Sequence, residues 1–151
     1  MIRPLVPTDV DALAAAISAL PLMQRYGRDQ AALAADFRAA YERGESLFVW
    51  DPGQGAEGVL WFFPTGTFAM GGYLRLIAMA PGSSSQGAGA KLLAEFEAQV
   101  SASSRHAFLL VSDFNVDAHR FYEKHGYTKV GALPKLVRPD VDELVYWKRL
   151  R

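Results

Sequence analysis

The chain has 151 residues, half of them hydrophobic and about a fifth charged, with sixteen basic side chains balanced by sixteen acidic ones. That length suits one domain with its own core, and the even charge offers no basic stripe for nucleic acid and no charged face for a membrane surface. With no cysteine in the sequence, disulfides, thiolate catalysis and cysteine-ligated metals are excluded.

The opening "MIRPLVPTDVDAL" lacks the basic and then apolar run of a secretory signal. No stretch approaches the roughly 20 apolar residues of a membrane span, so the expectation is a cytoplasmic protein. Residues 2–6 suit a short strand. Thr8 then starts a helix, with Asp11 three positions on as a capping-box variant, and Val10, Leu13, Ala14, Ile17 and Leu20 share its inner face. Pro21 ends that pattern. A second helix follows Asp29, with Leu33, Phe37 and Tyr41 spaced by four, and stops at Gly44. "SLFVWD" and "GVLWFF" are β-rich runs around the hairpin segment "PGQGAE", and "PTGTFAMGG" makes the next turn.

"YLRLIAMA" is nearly all apolar, as in a central strand covered on both faces. "APGSSSQGAGAKLL" then turns through glycines into a helix whose inner face is Leu92, Leu93, Phe96 and Val100. "AFLLVS" is a buried strand, "NVDAHRFYEKHG" a short helix, and "YTKVGAL" and "ELVYWKRL" the last two strands. The order β-α-α-β-β-β-α-β-α-β-β predicts an α/β fold, with the long crossover helix joining two parallel neighbours, near 73–80 and 107–112.

A strand, a glycine-rich turn and a helix suit phosphate, because amides at a helix N-terminus and the helix dipole favour an anion. A nucleotide-hydrolase loop fails here. Gly82 and Gly87 have the right separation, but Ala88 and Gly89 replace the required lysine and hydroxyl residue. The dinucleotide fingerprint fails at Leu92, where its third glycine belongs.

The loop resembles the R/Q-x-x-G-x-G/A motif of the GNAT superfamily of N-acetyltransferases, which bind acetyl-coenzyme A. Starting it at Gln86 would put Lys91 where a small residue must pack. Starting at Ser84 gives Ser84-x-x-Gly87-x-Gly89, with Pro81 three residues ahead and serine in place of the usual arginine or glutamine. A second segment, "NVDAHRFYEKHGY", resembles the superfamily's N-x-x-A-x-x-F-Y-x-K-x-G-[FY] through Asn115, Ala118, Phe121, Tyr122, Lys124, Gly126 and Tyr127. The resemblance covers roughly residues 70–150.

It implies a single-domain GNAT-like fold over 1–151, with a mixed, mostly antiparallel central sheet and flanking helices. It also implies acetyl transfer from acetyl-coenzyme A to a primary amine on a small molecule or peptide, with no metal. In the family the two parallel strands splay, and the pantetheine arm pairs with backbone that here would be Ile77, Ala78 and Met79. Ser84, Gln86, Gly87, Ala88 and Gly89 would hold the pyrophosphate. Asn115 would meet the pantetheine, and Tyr122 would be the general acid. A phenol suits that task because its ordinary pKa, about 10, is near that of a thiol.

The strand glutamate that many relatives use as a base is absent, which leaves Asp113, Glu143, a water relay or bulk deprotonation. Arg75, the strand's only charge, is a candidate for binding an acceptor carboxylate or for a salt bridge. Tyr26, Trp50, Trp61, Phe62, Phe63 and Phe68 are candidates for an acceptor pocket or for core. His106, His119 and His125 show no metal-ligand spacing, and the last two are expected to face solvent. A non-catalytic acyl-coenzyme A binding module and an enzyme that modifies protein N-termini are the alternatives. A homodimer is compatible with the sequence.

Overall fold

The computed structural model describes residues 1–83 and 87–151; Ser84 and Gln86, expected in the phosphate loop, lie outside them. The strands are β1 (Ile2–Pro4), β2 (Ser46–Trp50), β3 (Gly58–Thr67), β4 (Gly71–Met79), β5 (His106–Ser112), β6 (Thr128–Leu133) and β7 (Glu143–Arg149). The helices are α1 (Val10–Ser18), α2 (Pro21–Arg25), α3 (Gln30–Glu42), α4 (Ala88–Ser101) and α5 (Val116–Lys124). The seven strands form one α/β sheet in the order β1-β2-β3-β4-β5-β7-β6. β4 and β5 pair in parallel, as the crossover helix requires; β1–β2, β2–β3, β5–β7 and β6–β7 are antiparallel. By backbone contacts the chain divides into two compact units, one of Met1–Phe63 and Leu76–Phe96, the other of Pro64–Arg75 and Glu97–Arg151.

In the first unit, Leu13, Ile17, Phe37, Val49 and Val59 are fully buried in one core, where Phe37 meets Trp61 edge to face at 6.2 Å. Alternation along the strands turns Phe48 and Phe62 to the other face, where they stack and Phe62 packs on Phe96 of α4.

Three local expectations change. Thr8 does not cap α1. Residues Pro7–Asp9 form a 3-10 turn, and the Asp9 carboxylate accepts from the Val6 N–H at 2.9 Å. Pro21, expected only to end a helix, also opens the short helix α2 from its first position, where a missing N–H costs nothing. In α3, Asp29 caps the helix by accepting from the Ala32 N–H, and Leu33 and Phe37 are buried as expected. Ala40, however, takes the inward place in the next turn and Tyr41 is exposed, because 3.6 residues per turn favours the residue three on from Phe37.

In the second unit, Gly72–Leu74 of β4 pair with Ala107–Leu109 of β5. β7 pairs with β5 from His106↔Arg149 to Ser112↔Glu143, and β6 pairs with β7 around a bulge between Lys129 and Gly131. The C-terminal turns of α4 come down on Gly72: a Cβ there would lie 2.3 Å from Val100 Cγ2, so the helix needs glycine beneath it. The β3–β4 turn is tighter than the sequence suggested. β3 runs to Thr67, and Phe68 and Ala69, both at positive φ, make a two-residue turn closed by the Met70 N–H to the Thr67 carbonyl.

Candidate functional site

In the first unit, β4 ends at Ile77, Ala78 and Met79, and the chain is then tied to the start of β3. The Ala80 N–H donates to the Glu57 carbonyl at 2.7 Å, and the Ser83 hydroxyl donates to the Glu57 carboxylate at 2.9 Å. Gly87 re-enters at φ +77, and its carbonyl accepts the Lys91 N–H at 3.0 Å. Gly87 therefore stands at the cap of α4 in a left-handed conformation that a side chain would strain. The N–H groups of Ala88 and Gly89 fall in the first turn, where a helix has no acceptors of its own. Ala88, Leu92 and Leu93 are buried, whereas Lys91 is exposed with its ammonium 5.1 Å from the Trp50 ring centre.

In the second unit, β5 leads through a turn into α5. The Asn115 N–H donates to the Ser112 carbonyl, and the Asn115 side-chain oxygen accepts from the Ala118 N–H at 3.2 Å, which caps α5. Tyr122 is half-buried on α5, its ring against Phe121 (5.1 Å) and Tyr127 (5.7 Å). Burial alone pushes its phenol well above the ordinary value, and the hydroxyl has no hydrogen-bond partner among the described residues. The neighbouring Tyr127 hydroxyl is engaged. It donates to Glu97 at 3.0 Å, and Lys148 donates to the same carboxylate at 2.8 Å.

Tyr73 and Arg75 lie two apart on β4, hence on one face. Arg75 is exposed; Tyr73 is half-buried, and burial raises its phenol against the opposing pull of the Arg75 charge. Glu143 is 8% exposed and sits opposite Ser112 in the β5–β7 register. Asp113 is exposed, and its carboxylate accepts from the Asp142 N–H at 3.2 Å while its own N–H returns to the Asp142 carbonyl. That is the geometry of a loop clasp.

The histidines differ from expectation. His119 and His125 do not face solvent: both are half-buried and hydrogen-bonded, His119 to Tyr146 and the Ser112 carbonyl, His125 to the Phe121 carbonyl. His106 accepts from the Trp147 indole at 3.1 Å. Sequence reasoning missed the His119–Tyr146 contact because it joins residues 27 apart; the traceable sign was a polar tyrosine facing inward on β7. Of the aromatic set, Trp61 and Phe62 are buried in the first unit. Phe68 belongs to the second and is 80% exposed, beside an apolar pocket of about 370 Å³ that Phe108 and Trp147 also line. Among the described residues no cluster of three or more histidine or carboxylate side chains is placed to hold a metal, and no helix is long and apolar enough to cross a membrane.

A family model for the acetyltransferase (GNAT) domain matches residues 43–129, more than half of the chain. The chain therefore belongs to the GNAT family of acetyltransferases, proteins that transfer acyl groups. Similar solved structures carry the same fold. A Desulfovibrio desulfuricans protein assigned to the GNAT family has a TM-score of 0.81 at 21% identity, over 100% of this chain and 99% of that one. An aminoglycoside 6'-N-acetyltransferase complexed with coenzyme A has 0.79 at 16%, over 100% and 97%. A ribosomal-protein-alanine N-acetyltransferase from Brucella melitensis has 0.75 at 18%, over 99% of each chain. A search of curated proteins found no match.

Proposed function

We propose that residues 1–151 act as one N-acetyltransferase domain that moves an acetyl group from acetyl-coenzyme A to a primary amine of a small molecule or peptide by direct attack. The observation that carries this reading is Tyr122. It is a protonated phenol, half-buried and without a hydrogen-bond partner among the described residues, on a capped helix whose sequence matches the family motif.

The amine lone pair attacks the thioester carbon, the C–N bond forms and the C–S bond breaks. The departing sulfur takes the Tyr122 proton, and the amine's proton leaves to a base drawn from Glu143, Asp113 and water. With no cysteine, the chain offers no thiol for an acyl-enzyme. The coenzyme's pyrophosphate is held by the backbone of Gly87, Ala88 and Gly89 with Ser84 and Gln86, and its pantetheine by the backbone of Ile77, Ala78 and Met79. Asn115 spends its side-chain oxygen on the α5 cap, which leaves its side-chain N–H₂ for a pantetheine carbonyl. Arg75, exposed on β4, attracts acceptors that carry a carboxylate, as amino acids and peptide C-termini do.

The test is thiol release from acetyl-coenzyme A across a broad panel of amines, with metal chelated, for the wild type and Arg75→Ala. Turnover that favours amino acids or peptides, with the preference lost in Arg75→Ala, supports the proposal. Binding without turnover on any amine would leave a non-catalytic acyl-coenzyme A module. Preference for amines that are cationic throughout would remove the Arg75 role.

A further inference from the structure

His119 makes contacts that its position in the motif does not require. Its Nε2 lies 3.0 Å from the Ser112 carbonyl and its Nδ1 lies 2.9 Å from the Tyr146 hydroxyl oxygen; that hydroxyl in turn donates to the Glu123 carboxylate at 3.1 Å. The proton inventory of these groups is restrictive. The Ser112 carbonyl only accepts, and it already takes the Asn115 N–H, so Nε2 must donate to it. The Tyr146 hydroxyl donates its single proton to Glu123; burial and that hydrogen bond both hold the proton on Tyr146. Nδ1 meets the same Tyr146 oxygen.

We propose that His119 is a positioning residue for Tyr122, bracing α5 against β5 and β7 through both of its ring nitrogens. The inference rests on the reading of Tyr122 as the proton donor. His119 and Glu123 lie four apart, on one face of α5, and together grip the Tyr146 oxygen, which belongs to a side chain only 1% exposed. Tyr122 lies between them in sequence, so both ends of its helical turn are fixed to β7, and Nε2 adds a tie to the last residue of β5. The groups that meet the imidazole are Tyr146 from β7, the Ser112 carbonyl from β5 and, through Tyr146, Glu123 from α5. Removing the imidazole or the Tyr146 oxygen takes away ties from α5 to β7 that water has little access to replace. A shift of about 1 Å in a reacting group is enough to cost on the order of 100-fold in rate.

Three forms of the full chain test this: wild type, His119→Phe, which keeps a ring of similar size, and Tyr146→Phe, which removes one oxygen. Thermal melting follows the brace itself, calorimetry gives acetyl-coenzyme A affinity, and thiol release gives kcat with the amine chosen by the panel. The expected result is a split between turnover and binding in both variants: kcat drops about tenfold or more below that of the wild type, with acetyl-coenzyme A affinity within about twofold. A His119→Phe or Tyr146→Phe enzyme with wild-type kcat, or one whose turnover and acetyl-coenzyme A affinity fall together, would overturn the proposal. A wild type that acetylates nothing, or a Tyr122→Phe enzyme at full rate, would sink the underlying reading, while the melting temperatures of the two variants still decide whether the brace exists.

Discussion

Tyr122 has a ring in contact with two aromatic neighbours and a hydroxyl in contact with no hydrogen-bond partner among the described residues. Tyr122→Phe keeps the ring packing and removes the proton. It is expected to lower kcat by roughly 10- to 1000-fold. Acetyl-coenzyme A affinity measured by calorimetry should not change. An unchanged rate, with chemistry limiting in the wild type, would reduce Tyr122 to packing. Gly89 makes the opposite kind of test. It sits in the first turn of α4, where a branched side chain would stand between the helix amides and a pyrophosphate. Gly89→Val should bind no acetyl-coenzyme A while keeping the wild-type circular dichroism; binding at wild-type affinity would move the phosphate site elsewhere. The helix start at Asp29 was legible from sequence because a cap acts on residues a few positions away. His119 was not, since its partners lie on two strands, β5 and β7, and nothing in a nine-residue helix shows which side chain will meet them.

At the level of elements, the N-terminal strand is held by charge. Arg3 bonds both oxygens of Asp9 on the turn before α1, and also Asp51 just after β2. The hydrogen bond from Arg3 is the main cause that holds the Asp9 carboxyl below the usual carboxylate range, and Asp51 is lowered by Gly53 and Arg3. A depressed carboxylate stabilises the fold above its unfolded value, about 3.9, and that stability is lost as pH falls through the folded value. Asp9→Asn should therefore melt ~3 °C lower than wild type at pH 7. The gap should close as pH drops below about 4. A gap that persists in acid would assign Asp9 a role other than its charge. This bridge was hidden in the sequence, where no local pattern joins Arg3 to Asp51, 48 positions on. The helices with strong apolar periodicity, α1, α3 and α4, were legible; α2 was not, because five residues are too few to show a period.

At the scale of the whole molecule, the alternation of strands and helices sufficed for an α/β sheet with one parallel pair, because the crossover helix forces it. The order of the last strands was not legible. β7 inserts between β5 and β6, which depends on how the hairpin folds back and not on any local pattern. Two motifs in the right order marked the family, and the family model over 43–129 agrees. The acceptor is less legible for a physical reason: in the proposed reading an amine would meet scattered side chains such as Arg75, whereas the coenzyme would meet mostly backbone, whose course follows from glycine spacing. The most direct test of the account is a calorimetric titration of the folded chain with acetyl-coenzyme A in the presence of EDTA. Saturable binding near one equivalent, lost in Gly89→Val, is the predicted result; no heat of binding at high coenzyme concentration would contradict it.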